Sequence, residues 1–212
     1  MAVLLLIRHA LTDQTGKRLY GRRPGVGLSD RGREQAAALA DRVAAVRPAA
    51  LYSSPLERCV ETAAPIAEAT GLEVERLPAI LEIDYGKWTG RQFSSLRGTK
   101  LWERVRRRPS AARFPEGEAM MDVQRRVVDA LEEVAARHPR DAVAVVSHGD
   151  PIALALAHFL GLHIDLFQRI IAPPASVSAV VLSEAAPLVV RMGDTGTLED
   201  IRPRPSRRPP RR

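Results

Sequence analysis

The chain has 212 residues, 45% of them hydrophobic, enough for the core of one α/β domain; its single cysteine, Cys59, excludes an intramolecular disulfide or a thiolate zinc cluster and fits a reducing cytosol. The apolar start is about five residues long with its positive charge behind it, and no stretch approaches the roughly 18 apolar residues of a membrane helix, so a soluble, cytoplasmic protein with no membrane partner is expected. The formal charge is +7, but the tail Arg202–Arg212 carries six arginines and no acid; taking six from +7 leaves +1 for residues 1–201, which argues against nucleic acid as a specific partner.

Ala2 to Ile7 reads as a strand, apolar throughout as when both sheet faces are covered, and it runs into Arg8-His9, neither suited to continuing a buried strand. Asp30 to Val46 reads as a helix with Ser29 as N-cap and Ala36, Leu39, Ala40 and Val43 on one face, its first turn weakened by Gly32. Ala49 to Tyr52 is a second strand. Ser54-Pro55 then gives a cap-then-proline start to a helix that reaches about Thr70, with Gly71 just past its end. That helix carries Arg58 in its first turn, and Cys59 falls with Ala63 and Ile66 on what reads as a buried face rather than as a reactive thiol.

The stretch Leu77 to Gly117 is irregular and holds Tyr85, Trp88, Phe93, Trp102 and Phe114, which reads as an insertion over the sheet whose aromatics form a small core, one or two of them lining a substrate pocket. Arg106, Arg107 and Arg108 follow Glu103 and read as a solvated helix end. Ala119 to His138 is a long amphipathic helix with Val123, Val127, Leu131 and Val134 on one face. Ala142 to Ser147 is a strand ending in Ser-His-Gly, with Pro151 at the next helix start, and Val177 to Leu182 is a further strand. His138, His158 and His163 read as helix-end or packing residues. The alternation defines the fold class: α/β, a mainly parallel central sheet flanked by helices on both faces, with a helical and loop insertion over the active site. The domain is expected to span 1–201, with residues 202–212 a disordered Arg/Pro-rich appendage.

Two histidines, His9 and His148, leave two central strands at their carboxyl ends, the edge where open α/β sheets bind ligands, although nearly 140 residues separate them. Arg8 beside His9 and Arg58 at a helix start supply planar forks of donors, and a helix start itself favours anions. The four side chains describe a pocket for a phosphoryl dianion. A neutral imidazole there can attack phosphorus and hold the phosphoryl group covalently while guanidinium groups neutralise its oxygens. His9 is the expected nucleophile, His148 the donor to phosphoryl oxygens, and Glu82, shielded by Tyr85 and Trp88, the acid that protonates the leaving oxygen.

The runs "IRHALT", "YSSPLERCVETA", "LEIDYGKWTG", "FPEGE" and "VVSHGD" resemble, in order and approximate spacing, the histidine phosphatase superfamily, which includes cofactor-dependent phosphoglycerate mutases and broad-specificity phosphatases. The resemblance spans about Val3 to Ile201. It implies that His9 is phosphorylated, that Arg8, Arg58 and His148 bind the phosphoryl group, that Glu82 is the proton donor, and that neither metal nor cofactor is needed. Gly149 and Thr15 complete the expected substrate-binding set; Thr15 stands where the family commonly has asparagine, and Ala10 where it commonly has glycine. Asp150, a carboxylate beside an anion site, receives no role. The expected function is metal-independent hydrolysis of a small phosphorylated metabolite. The alternatives are a mutase that returns the phosphoryl group to a bound product, a metallohydrolase built on His9, Asp13, Glu82, His148 and Asp150, and a non-catalytic phospholigand- or polyanion-binding module.

Overall fold

The computed structural model describes residues 1–183 and 185–196; the Arg/Pro-rich tail and the boundary expected at 201 lie outside the described residues. In chain order the elements are β1 (Ala2–Arg8), α1 (Asp30–Ala44), β2 (Ala50–Ser53), α2 (Glu57–Thr70), β3 (Val74–Arg76), α3 (Phe93–Leu96), α4 (Lys100–Arg107), α5 (Met120–Arg137), β4 (Ala142–Ser147), α6 (Gly149–Phe159), β5 (Val177–Leu182) and β6 (Leu188–Asp194).

Among the described residues the strands form one sheet in the order β3-β2-β4-β1-β5-β6. β3, β2, β4 and β1 run parallel to one another, whereas β5 runs antiparallel to both β1 and β6. Successive side chains of a strand point to opposite faces, so the unbroken apolar runs of β1 and β4 feed two cores. Val3, Leu5 and Ile7 pack with Ala144 and Val146 under α1 and α2, through Leu39, Val43, Ala63 and Ile66. Leu4 and Leu6 pack with Val143 and Val145 under α5, α6 and the 77–117 segment.

The Ser29 hydroxyl caps α1 by accepting the Gly32 N–H at 3.1 Å. Gly32 weakens a helical turn but is required there, because a Cβ would lie 2.0 Å from the Leu11 carbonyl oxygen. The expected start of α2 is corrected. The helix begins at Glu57 with Leu56 as an uncapped N-cap, and Ser54 is not its cap: its hydroxyl is taken by His148 at 2.8 Å. Gly71 does end α2, in the left-handed conformation. β3 and β6, which the sequence reading leaves as connections, are the two edges of the sheet. β3 has only three residues, and β6 shows Leu188, Val190 and Met192 to solvent, so neither carries a buried apolar run.

The 77–117 insertion is built of short helical turns around an aromatic cluster. The rings of Tyr85 and Phe114 meet edge to face at 5.0 Å, Trp88 and Phe114 at 5.5 Å, and Phe93 and Trp102 at 6.0 Å.

Candidate active site

The register of the two central strands sets the site. Arg8 pairs with Ser147 across β1 and β4, so His9 and His148 leave adjacent strands side by side, their ring centroids 5.4 Å apart. A cavity of about 450 Å³ opens at this edge, and its wall includes Arg8, His9, Thr15, Arg58, Glu82 and Gly149. Six of the seven residues expected from sequence thus face one space. The seventh, His148, is fully buried and stands behind Arg58 rather than on the wall.

His9 is fixed by its backbone and its ring. Its N–H donates to the Ser147 carbonyl at 2.9 Å, and its Nδ1–H donates to the Ala10 carbonyl at 2.8 Å. In the neutral ring this leaves Nε2 as the atom with the free lone pair. Burial, followed by the Arg58 charge and with Arg8 adding to it, lowers the His9 pKa to about 3, so the ring is neutral at any physiological pH.

Arg58 is buried and gives one guanidinium nitrogen to two partners, the Gly21 carbonyl at 3.0 Å and His148 Nδ1 at 3.1 Å. Since arginine only donates, His148 Nδ1 is bare and its Nε2–H donates to Ser54 Oγ. Burial and the Arg58 charge hold His148 well below the usual histidine range, consistent with that neutral tautomer. Arg8 donates through Nη1 to the Ala172 carbonyl at 2.7 Å, while its Nε is buried with no hydrogen-bond partner among the described residues. Gly149 is what permits this packing: a Cβ there would sit 3.1 Å from the Arg8 Cζ.

Glu82 lies in a stretch without helix or strand, and its Oε1 accepts the Ile83 N–H at 2.9 Å. Burial, with the Asp150 charge next, raises its pKa to about 7, so near neutral pH the carboxyl keeps a proton to give. Asp150, given no role in the sequence reading, shares the cavity wall and accepts the Tyr85 hydroxyl at 3.0 Å. Burial raises the Asp150 pKa against the opposing effects of Tyr85 and Arg8.

The two departures from the family pattern have distinct outcomes. Ala10 is buried, donates its N–H to Thr62 Oγ1 at 3.0 Å, and is not among the non-glycine residues with positive φ, which are Arg47, Glu116 and Ala175. A methyl group is therefore accommodated. Thr15 turns its hydroxyl back onto its own loop, accepting the Thr12 N–H at 3.1 Å and sharing a second bond of 3.1 Å with the Thr12 hydroxyl.

Cys59 is buried against His148, with Sγ 3.5 Å from Nε2 and burial pushing the thiol up to about 12, which fits an inert packing residue. His9, Asp13, Glu82, His148 and Asp150 do not assemble as a ligand set; among the described residues no three His, Cys, Asp or Glu side chains are placed to hold a metal ion. Sequence reasoning missed Ser54 as the partner of His148 and Tyr85 as the partner of Asp150. The serine pair in "YSSP" was a visible signal, but which partner it meets depends on the β2–β4 pairing.

A neutral imidazole, two guanidinium groups and a carboxyl raised toward neutral pH share one cavity at the carboxyl edge of a mainly parallel sheet, a set of groups whose chemistry suits a phosphate ester. The profile of the histidine phosphatase superfamily (branch 1) matches residues 4–195, and the chain belongs to that superfamily. It is an enzyme of the phosphatase class within it. Phosphoserine phosphatase 1 of Hydrogenobacter thermophilus is 34% identical over 198 residues, covering 92% of this chain and 93% of the relative. A glucosyl-3-phosphoglycerate phosphatase of Mycolicibacterium vanbaalenii is 32% identical over 172 residues, 76% of each chain. Among solved structures, YhfR of Bacillus stearothermophilus superposes with a TM-score of 0.86 at 26% identity, over 92% of this chain and 98% of that one. Among the described residues no helix is long and apolar enough to cross a membrane.

Proposed function

We propose that the protein hydrolyses small phosphomonoesters without a metal, through a phosphohistidine on His9. The observation that carries this reading is the bare Nε2 of a neutral, buried His9 sharing a cavity with Arg8, Arg58 and a carboxyl that keeps its proton near pH 7. In the first step Nε2 bonds to phosphorus, the bond from phosphorus to the ester oxygen breaks, and the Glu82 proton passes to that oxygen. In the second, water attacks phosphorus, its proton returns to the Glu82 carboxylate, and the N–P bond breaks to release phosphate. Arg8 and Arg58 offset the charge on the phosphoryl oxygens in both steps. An entering dianion draws the Arg58 donor away from His148; the freed Nδ1 then faces the new charge, which favours its protonation and a hydrogen bond to the phosphoryl group.

The substrates named for the two relatives, phosphoserine and glucosyl-3-phosphoglycerate, are the first to assay, alongside p-nitrophenyl phosphate and a panel of sugar and hydroxy-acid phosphates. His9→Ala should abolish an acid-labile phosphoenzyme and lower turnover by about 10³-fold or more. Turnover that survives in His9→Ala, or that a chelator removes and a divalent metal restores, overturns the reading. Measuring phosphate release against transfer between phosphoglycerates separates hydrolysis from mutase activity.

A further inference from the structure

Glu82 must hold its carboxyl against the ester oxygen, yet residues 81–85 belong to no helix or strand, so no backbone ladder fixes them. The fixing bonds come from elsewhere. The Glu82 carbonyl accepts Arg22 Nε at 2.9 Å and Arg126 Nη2 at 3.3 Å. Both guanidinium groups converge on one carboxylate, Glu118, with Arg22 Nη2 2.8 Å from Oε1, Arg126 Nε 2.9 Å from Oε1 and Arg126 Nη2 3.0 Å from Oε2. Glu118 also holds the next residue but one: its Oε2 accepts the Asp84 N–H and its own N–H donates to the Asp84 carbonyl, each at 3.0 Å. Arg126 is tied down further by the Ala79 carbonyl at 2.6 Å.

We infer that Glu118 is a positioning residue for proton transfer: with Arg22 and Arg126 it forms a clamp that sets where the Glu82 carboxyl sits relative to the leaving oxygen. The clamp gathers three segments, the loop after β1, the "FPEGE" turn and α5, none of which touches the reacting atoms through these side chains. It also couples the two ends of the reaction, because Gly21, whose carbonyl accepts Arg58, is the residue before Arg22. Gly21 has φ +53°, and a Cβ there would lie 2.9 Å from the Tyr85 ring. Burial works against the Glu118 charge, but the bonds from Arg126 and the Asp84 N–H and the Arg126 and Arg22 charges together hold its carboxyl below the usual range. The clamp is therefore charged, and rigid as charge-assisted bonds are, throughout the working pH range. A shift of about 1 Å in a catalytic group is enough to cost on the order of 10²-fold in rate.

The inference rests on the phosphohistidine reading, and its test uses leaving groups that differ in their need for a proton. p-Nitrophenyl phosphate expels a stabilised phenolate that needs no proton; propyl phosphate expels an alkoxide that does. Glu118→Gln and, because Arg22 is partly exposed and easily spared by the fold, Arg22→Met should each lower kcat/KM for propyl phosphate by at least about tenfold. The same variants should leave p-nitrophenyl phosphate within about threefold of the parent. Glu116→Gln, in the same turn but paired with Lys87 at the surface, should leave both substrates unchanged. Equal losses on the two substrates in both variants would make the clamp merely structural and overturn the inference, as would no loss on either. A parent enzyme that forms no phosphohistidine would instead overturn the reaction itself.

Discussion

His9 and Glu82 are shifted in opposite directions by the same burial, and the pH dependence of turnover follows from the pair. His9, lowered to about 3, stays neutral and imposes no acid limb above pH 4. The rise of kcat/KM should instead track the second ionisation of the substrate phosphate, near pH 6. On the proposed mechanism Glu82, raised to about 7, gives its proton to propyl phosphate, so kcat/KM for that ester should fall as pH climbs past about 7. With p-nitrophenyl phosphate the falling limb should be shallow or absent. Glu82→Gln should erase the limb and lower propyl phosphate turnover by about 10²-fold or more. Asp150 adds its charge to what keeps the proton on Glu82, so Asp150→Asn should move the limb to lower pH; a limb that moves up or stays in place in pH-rate profiles would contradict that electrostatic link. The same pair of residues shows what one-dimensional reading can hold. Arg8-His9 stood out because a polar pair ends an apolar run, whereas Asp150 looked misplaced until Tyr85, 65 positions away, proved to be its donor.

At the level of elements, the start of α6 against the end of β1 is the tightest functional contact. Gly149 opens the helix directly over the Arg8 guanidinium, which is itself anchored to the Ala172 carbonyl. Gly149→Ala places a methyl 3.1 Å from Cζ and must push the guanidinium aside, although alanine suits a helix better than glycine. The expected outcome is a KM for p-nitrophenyl phosphate raised about tenfold with the thermal midpoint changed by only a few degrees; an unchanged KM would mean that Arg8 reaches phosphate without this packing. Elements with unbroken or periodic apolar residues were legible in the sequence for the same reason they are stable: β1 and β4 bury both faces, and α1 and α5 each bury one periodic face. The edge strands were not, because β3 has three residues and β6 alternates without burying either set fully. The clamp on Glu82 was equally hidden, although "FPEGE" was visible as a motif. Its function depends on where Arg22 and Arg126 arrive from, and no local period encodes that.

Across the whole molecule the site is a buried polar wedge between two apolar cores, and the protein tolerates it by keeping the histidines neutral. His9 and His148 are both lowered by burial and by Arg58, so the folded state resists protonating them while the unfolded chain does not. The sign follows from linkage. A histidine whose folded pKa is depressed contributes stability that is fully present above its unfolded value of 6.5 and is lost as pH falls toward about 3. Between pH 7 and pH 5 the unfolded chain takes up a proton at position 9 that the native state refuses, which costs about 2 kcal/mol at 1.36 kcal/mol per pH unit. Urea denaturation at the two pH values isolates this contribution if the parent is compared with His9→Ala. The parent should lose about 2 kcal/mol more than the variant between pH 7 and pH 5, even if the variant is the less stable protein at pH 7. Equal losses in the two proteins would mean that the native His9 titrates as it does in the unfolded chain, and the neutrality that burial is argued to hold down to about pH 3 would have to be given up.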